Sequence, residues 1–233
     1  MIDFVPVPQS GRRFSHSRRV HLGDVGPEGS LRPDALARYL QDVAGDDWDD
    51  AVGADEDTWV VRRTSVRVAE GGRWPTLGEH VTVSTWCGGT GAAWAERRSD
   101  VTVEGRTLID ATALWVPVGP DGRPRRVRRD FIEIYGESAA RKVSGRVDSA
   151  DLDAAAPKRP WPIRRSDLDI VGHVNNAAVW EAVSEVAGPA PRAATVVHLG
   201  SLEAGDDVRL AVAARRMWLV VDGAVRVAGE FDA

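Results

Sequence analysis

The strongest constraint in this sequence is an order of elements that occurs twice. A strand signal, a helix and a run of further strand signals fill the first half, and the same order returns after residue 157. In the first pass, 12–22 reads as a strand, followed by a Gly/Pro-rich loop at 23–29. Pro33 suits the first turn of a helix, where a missing N–H leaves no bond unmade. Leu36, Tyr39, Leu40, Val43 and Ala44 then fall on one face at the helical period. Strand signals follow at 58–69, 80–88, 92–104 and 107–118, with Val81 to Trp86 alternating as a half-buried strand does. In the second pass, 159–165 predicts a strand and 175–187 a helix whose apolar face is Val179, Trp180, Val183, Val186 and Ala187. Further strands are expected at 194–201, 207–215, 217–221 and 224–231, the last two joined by the hairpin signal Asp222-Gly223. The repeated order predicts an α+β protein of two similar halves, each an antiparallel sheet wrapped around one central helix.

Between the halves the chain changes character. Gly119-Pro120-Asp121-Gly122 and Pro124 break the strand pattern, Arg123, Arg125, Arg126, Arg128 and Arg129 crowd together, and 148–157 is polar and alanine-rich. The expected division is a first domain at 1–118, an inter-domain connection at 119–157 with a short helix near 132–141, and a second domain at 158–233.

Composition excludes several classes. At 233 residues, 43% hydrophobic and 28% charged, the chain is too apolar for disorder and too short for three ordinary domains. A net charge of -5 argues against a general nucleic-acid binder, which needs a basic surface to neutralise phosphate. Cys87, the single cysteine, excludes an internal disulfide and a multi-cysteine metal site. No apolar run approaches the roughly 20 residues that span a bilayer. The first ten residues lack the cationic start and apolar stretch of a secretory signal. A cytoplasmic protein without metal or cofactor is the expectation.

One stretch concentrates chemistry: Ser166-Asp167-Leu168-Asp169-Ile170-Val171-Gly172-His173-Val174-Asn175-Asn176. A loop can bring Asp169 and His173 to the start of the following helix, where unpaired N–H groups carry partial positive charge. Such groups stabilise a developing oxyanion, and histidine moves protons near neutral pH. The same residues admit a structural reading, as helix caps and a turn. Elsewhere the signals are weaker. Cys87 sits in a strand pattern and predicts a buried small residue, not a nucleophile. His16, His21, His80 and His198 are too scattered for a metal motif and suit surface or hydrogen-bonded strand positions. Trp94, Trp115 and Trp218 read as strand packing residues, whereas Trp59 or Trp86 are candidates to line a ligand tunnel.

Asp167 to Asn176 resembles the signature in the second repeat of the acyl-acyl-carrier-protein thioesterases, a hotdog-fold family. Val20-His21-Leu22-Gly23-Asp24-Val25-Gly26, Leu40-Gln41-Asp42-Val43-Ala44, Trp59-Val60-Val61-Arg62-Arg63 and Val83-Ser84-Thr85-Trp86 are similar to that family's first repeat in order and spacing. The resemblance covers most of the chain and weakens across 119–157 and after about 208. It implies two tandem hotdog domains that hydrolyse the thioester between a fatty acyl chain and the phosphopantetheine arm of acyl carrier protein. By the same resemblance Asp169 and His173 are catalytic, with Glu203 of Leu202-Glu203-Ala204-Gly205 as the third member. Two positions depart from the family: Val171 stands where it has asparagine, and Ala204 where a cysteine often follows the glutamate. The second departure is compatible with attack by water. The first removes an amide that positions water or carbonyl, and leaves Asn175 and Asn176 as substitutes among the expected substrate contacts Val171, Val174, Asn175 and Asn176.

The expected mechanism is direct hydrolysis. Glu203 orients or deprotonates water, His173 assists, with the two roles exchangeable, Asp169 holds the histidine and its loop, and N–H groups near Val174 face the thioester oxygen. The five arginines read either as a solvated loop or as a docking patch for an acidic carrier protein and its phosphate. Residues 121–165 carry twelve cations against seven anions, so the overall negative charge hides a basic middle. Hydrolysis of acyl-coenzyme A on the same scaffold and a non-catalytic acyl-binding role are the alternatives. A fused pair of hotdogs already supplies the helix pairing that single-repeat relatives obtain by dimerising, so monomer and homodimer both remain open. The partner expected is acyl carrier protein, with no nucleic acid and no membrane span.

Overall fold

The computed structural model describes residues 4–52, 58–149 and 151–232. The first half holds β1 (Arg13–Arg19), α1 (Pro33–Ala51), β2 (Thr58–Val68), β3 (His80–Thr90), β4 (Ala95–Val103) and β5 (Arg106–Val118). Two short helices follow, α2 (Arg129–Tyr135) and α3 (Glu137–Ala140). The second half holds β6 (Lys158–Pro160), α4 (Trp180–Ala187), β7 (Ala193–His198), β8 (Arg209–Ala213), β9 (Arg216–Val221) and β10 (Ala224–Asp232). All ten strands form one antiparallel sheet in the order β1-β3-β4-β5-β2-β7-β10-β9-β8-β6. That order reads the same from both ends. Each half is a five-stranded sheet of identical topology, and the halves join where β2 pairs with β7 from Arg63↔Val197 to Arg67↔Ala193.

The alternation of each strand decides what covers it. Val66, Val81, Val83, Val101, Ile109, Val196 and Leu219 turn to one face, where they meet Leu36, Tyr39 and Val43 of α1 and Val179, Trp180 and Val183 on and just before α4. Both helices therefore share one core that crosses the seam, each fully buried aliphatic side chain contributing about 1.5–3 kcal/mol. The doubled strand–helix–strand pattern is thus realised as two halves of a single hydrophobic unit.

Three elements differ from the sequence expectation for local reasons. The second helix begins at Trp180 rather than 175, because Asn175 Oδ1 accepts the Ala177 N–H at 2.8 Å and residues 176–179 are taken up in turns. β6 stops at Pro160, since Pro160 and Pro162 have no N–H to donate to a ladder. The segment after residue 128 folds as α2 and α3, split at Gly136 (φ 65°), rather than one helix at 132–141. These helices lie against the first-half sheet: Phe131, Tyr135 and Ala139 pack with Cys87, Ala95, Trp48 and Trp59. Tyr135 donates to the buried Asp47 carboxylate at 2.6 Å, which also receives Arg97 at 2.5 Å and Arg12 at 2.6 Å. Residues 131–139 therefore pack on the first half, whereas Leu152 and Ala156 pack with Ala211, Trp218 and Val220 of the second. Among the described residues, no helix is long and apolar enough to cross a membrane.

Candidate active site

Asp169, His173 and Glu203 come from two loops of the second half that cross as an isolated bridge. Asp169 N–H donates to His173 O at 2.8 Å, Gly172 N–H to Asp169 O at 3.1 Å, Val174 N–H to Leu202 O at 2.8 Å and Asn175 N–H to Asp167 O at 2.7 Å. Gly172 has φ 85°, the left-handed conformation that this tight turn requires. The bridge His173↔Glu203 sets the two side chains beside each other, with Nε2 3.8 Å from Oε1. Both are exposed, at 48% and 61%. Ser201 Oγ donates to the same Glu203 oxygen at 3.3 Å. Asp169 Oδ1 accepts the N–H groups of Val171 and His173, each at 3.0 Å. It holds the histidine through the backbone, not through the ring.

The N–H groups expected to face the thioester oxygen are engaged elsewhere. Val174 N–H is bound to Leu202 O and Asn175 N–H to Asp167 O, because both help fasten the loop to its neighbours. Val171 is exposed at the loop tip beside Ile170, itself fully exposed, so no polar side chain stands where an amide was missed.

A cavity of about 400 Å³ opens next to this loop. Asp169, Ile170, Asn175 and Asn176 line one part of it; Gln41, Ala44, Gly45 and Trp48 of α1 form a wall, and Trp59, Trp115, Cys87, Ala95 and Arg97 a floor under the first-half sheet. Phe131 of α2 completes it, with ring centroids 5.4 Å from Trp59 and 6.1 Å from Trp48. A void of about 30 Å³ adjoins it and shares Gln41, Ala44, Arg97, Trp115 and Asn176. Such a chamber, mostly apolar with a few polar groups at one end, is the usual form of a small-molecule site. Trp59 is in its lining as expected; Trp86 is not, and packs instead between Arg13 and Arg98. Trp48, Trp115 and Phe131 were not singled out as lining residues, and only their placement around α1 reveals them. Burial pushes the Cys87 thiol up to about 11, so it stays protonated and unreactive at neutral pH. His198, expected at a surface or a hydrogen-bonded position, has Nε2 buried without a partner, and burial together with Arg62 pulls its pKa down to about 4.

Of the arginine cluster, Arg125 pairs with Asp121 at 2.9 Å and Arg128 with Asp130. Arg123, Arg126 and Arg129 are exposed and find no carboxylate among the described residues.

A central helix under an antiparallel sheet, twice over, defines a tandem hotdog fold. The sequence pattern of the acyl-ACP thioesterase N-terminal domain matches residues 11–135, and that of the C-terminal domain matches 151–198. The chain belongs to the acyl-ACP thioesterase family. It is 28% identical over 182 residues to Rv2001 of Mycobacterium tuberculosis, covering 77% of this chain and 72% of that one. Its fold matches an oleoyl thioesterase (putative) from Lactobacillus plantarum with a TM-score of 0.82 at 17% identity, over 96% of both chains. It also matches the 12:0-ACP thioesterase from Umbellularia californica with a TM-score of 0.78 at 20% identity, over 97% of this chain and 98% of that one.

Proposed function

We propose that the protein hydrolyses fatty acyl-acyl-carrier-protein thioesters in the cytoplasm, releasing free fatty acid, and that Asp169, His173 and Glu203 do the chemistry. One observation carries the assignment of these three. The first half builds the same loop without them: Gly26 N–H to Ser30 O (3.0 Å), Gly29 N–H to Gly26 O (2.9 Å), Leu31 N–H to Pro75 O (2.7 Å) and Arg32 N–H to Asp24 O (2.9 Å) repeat the second-half bonds one for one. Ser30↔Thr76 stands for His173↔Glu203, and Gly26 for Asp169. The scaffold does not need a carboxylate, imidazole or glutamate at these points, so their presence in the second half alone is chemical in origin.

The acyl chain occupies the aromatic chamber, and its thioester lies at the end formed by Asp169 and Asn176. Water attacks the carbonyl carbon, giving one proton to the Glu203–His173 pair. The carbon–sulfur bond then breaks with its electron pair on sulfur, and the same pair returns the proton to the leaving thiolate. The products are the carboxylic acid and the free carrier thiol. Release of thiol from a panel of acyl-carrier-protein substrates tests the reading. Retained acyl binding with no turnover would show a binding protein instead.

Carrier recognition rests on the exposed arginines. The triple charge reversal Arg123→Glu, Arg126→Glu and Arg129→Glu should raise KM for the carrier-protein substrate several-fold at low salt, with kcat unchanged. An equal KM for acyl-carrier-protein and acyl-coenzyme A, insensitive to salt and to these substitutions, would favour the coenzyme A reading.

A further inference from the structure

The proposed chemistry leaves one role unfilled. A developing oxyanion needs hydrogen-bond donors, yet the N–H groups of His173, Val174 and Asn175 are all bound within the protein. Position 171, at the loop tip, is a valine. Beyond the loop's remaining backbone N–H groups, at Ile170 and Asn176, donors come from side chains around the thioester.

Four side chains with a polar atom line both the main chamber and the small adjoining void: Gln41, Arg97, Asn176 and Trp115, whose indole N–H is buried without a partner. Arg97 is tied to Asp47 at 2.5 Å, Thr85 at 3.3 Å and Tyr135 at 3.1 Å, and serves the buried ion pair behind the chamber. Gln41 and Asn176 are half-buried, and neither carboxamide has a hydrogen-bond partner among the described residues. Their unused donors face a chamber that otherwise offers mainly apolar surface.

The two halves again provide the control. Loop positions correspond at a constant spacing, Gly26 with Asp169 and Ser30 with His173, and the same spacing carries Gln41 onto Ser184 of α4. Ser184 has no unmet need, since its Oγ donates to Trp180 O at 3.2 Å. The half without the candidate triad supplies the loop opposite Ser184, and the half with the triad supplies the loop opposite Gln41.

We infer that Gln41 is a catalytic residue contributed by the first half. Its carboxamide N–H, together with that of Asn176, donates to the thioester carbonyl oxygen and follows it as negative charge develops. The amide that the second-half loop lacks at Val171 is thus replaced from across the seam. This inference rests on the thioesterase reading and deepens it.

Steady-state kinetics of Gln41→Ala and Gln41→Glu on an acyl-carrier-protein thioester decide the matter. Loss of one oxyanion donor costs on the order of 10²-fold in kcat, so both variants should lose at least about ten-fold in kcat with KM little changed. Glu is isosteric but brings a charged acceptor in place of the donor, so it should not rescue. Folding is not at risk in Gln41→Ala, because alanine favours helix and no bond is removed; an unchanged thermal midpoint verifies this. Wild-type kcat in Gln41→Ala overturns the inference. So does a loss confined to KM, which would make Gln41 a wall of the acyl chamber only. Failure of the wild-type protein to hydrolyse any thioester would instead overturn the functional reading on which this inference stands.

Discussion

The two halves of this protein share a loop down to individual hydrogen bonds and differ in what that loop carries. In the first half a 3₁₀ turn at Leu22–Asp24 is held by His21 N–H on Asp24 Oδ2 at 2.9 Å; in the second the turn at Arg165–Asp167 is held by Arg164 N–H on Asp167 Oδ2 at 2.8 Å. Thr76 N–H on Glu79 Oε2 (2.7 Å) and Glu203 N–H on Asp206 Oδ2 (2.8 Å) repeat the pattern on the crossing loop. The architecture is thus indifferent to whether Gly26, Ser30 and Thr76 or Asp169, His173 and Glu203 occupy these positions. The surroundings are not indifferent. The second-half loop faces the long helix α1, of nineteen residues, and the chamber beneath it, whereas α4 has only eight. A Cβ at Gly26 would lie 4.0 Å from Pro189, just beyond the end of α4. An aromatic chamber therefore accompanies one loop, while the cavity of about 620 Å³ beside α4 and Arg32 is rimmed by the charged Asp34, Arg159, Arg164, Glu181 and Glu185.

The largest effect that can test this contrast is on turnover. His173→Ala and Glu203→Ala should each lower kcat by about 10²–10⁴-fold, the usual range for a proton-transfer group. Because Ser30 and Thr76 hold the same scaffold, stability should move by no more than about 0.5 kcal/mol, roughly 1–2 °C in the thermal midpoint. Near-wild-type turnover in either variant would remove that residue from the site.

Next in size is the ion pair behind the chamber. Asp47→Ala leaves Arg97 and Arg12 without their shared carboxylate and Tyr135 without its acceptor. Breaking a buried pair from one side costs about 3–5 kcal/mol, readable by urea unfolding. A loss below 1 kcal/mol would show that water reaches the pair.

A smaller contrast concerns acid stability. His198, opposite Val227 at the end of β7, has its counterpart in Val68, opposite Ile109 at the end of β2, so only the second half carries an imidazole at this point. Its folded pKa of about 4 lies below the ordinary value of 6.5, so the unfolded chain takes up the proton first. Stability should fall as pH drops from 6.5 towards 4, and His198→Gln should flatten that limb of the thermal-midpoint curve. An unaltered slope in the variant would assign acid sensitivity to carboxylates instead.

The smallest expected change is none. Gly26→Asp, Ser30→His and Thr76→Glu together, in a His173→Ala background, copy the triad onto the first-half loop. Without an aromatic chamber beside it, no turnover above background should return. Restored hydrolysis would show that the loop alone suffices.

Much of this was legible in the sequence. The doubled order of elements gave the two-half architecture, since periods of 3.6 and 2 residues mark which faces must be buried. The proposed triad of Asp169, His173 and Glu203 was nominated through resemblance, and the fold sets His173 beside Glu203 across thirty residues. The boundaries of α4 and β6 were less so, because an Asn175 side-chain bond and two prolines act there against the pattern. Residues 119–157 read as a connection with a short helix near 132–141, and nothing local shows that Phe131, Tyr135 and Ala139 pack on the first half. Their partners, Trp48, Trp59 and Cys87, lie far away in sequence.

By itself the sequence determined the class of fold and nominated the segment proposed to carry the chemistry, because these depend on local periodicity and residue type. Tertiary structure decided which N–H groups are free, which aromatic rings wall the chamber and that Gln41 of the first half faces a loop of the second. Those depend on which groups find partners across the seam between β2 and β7. Hydrogen-bond partners that come from distant segments leave no trace in local pattern, so only the folded chain could show that the backbone donors beside His173 are engaged and two side-chain amides are not.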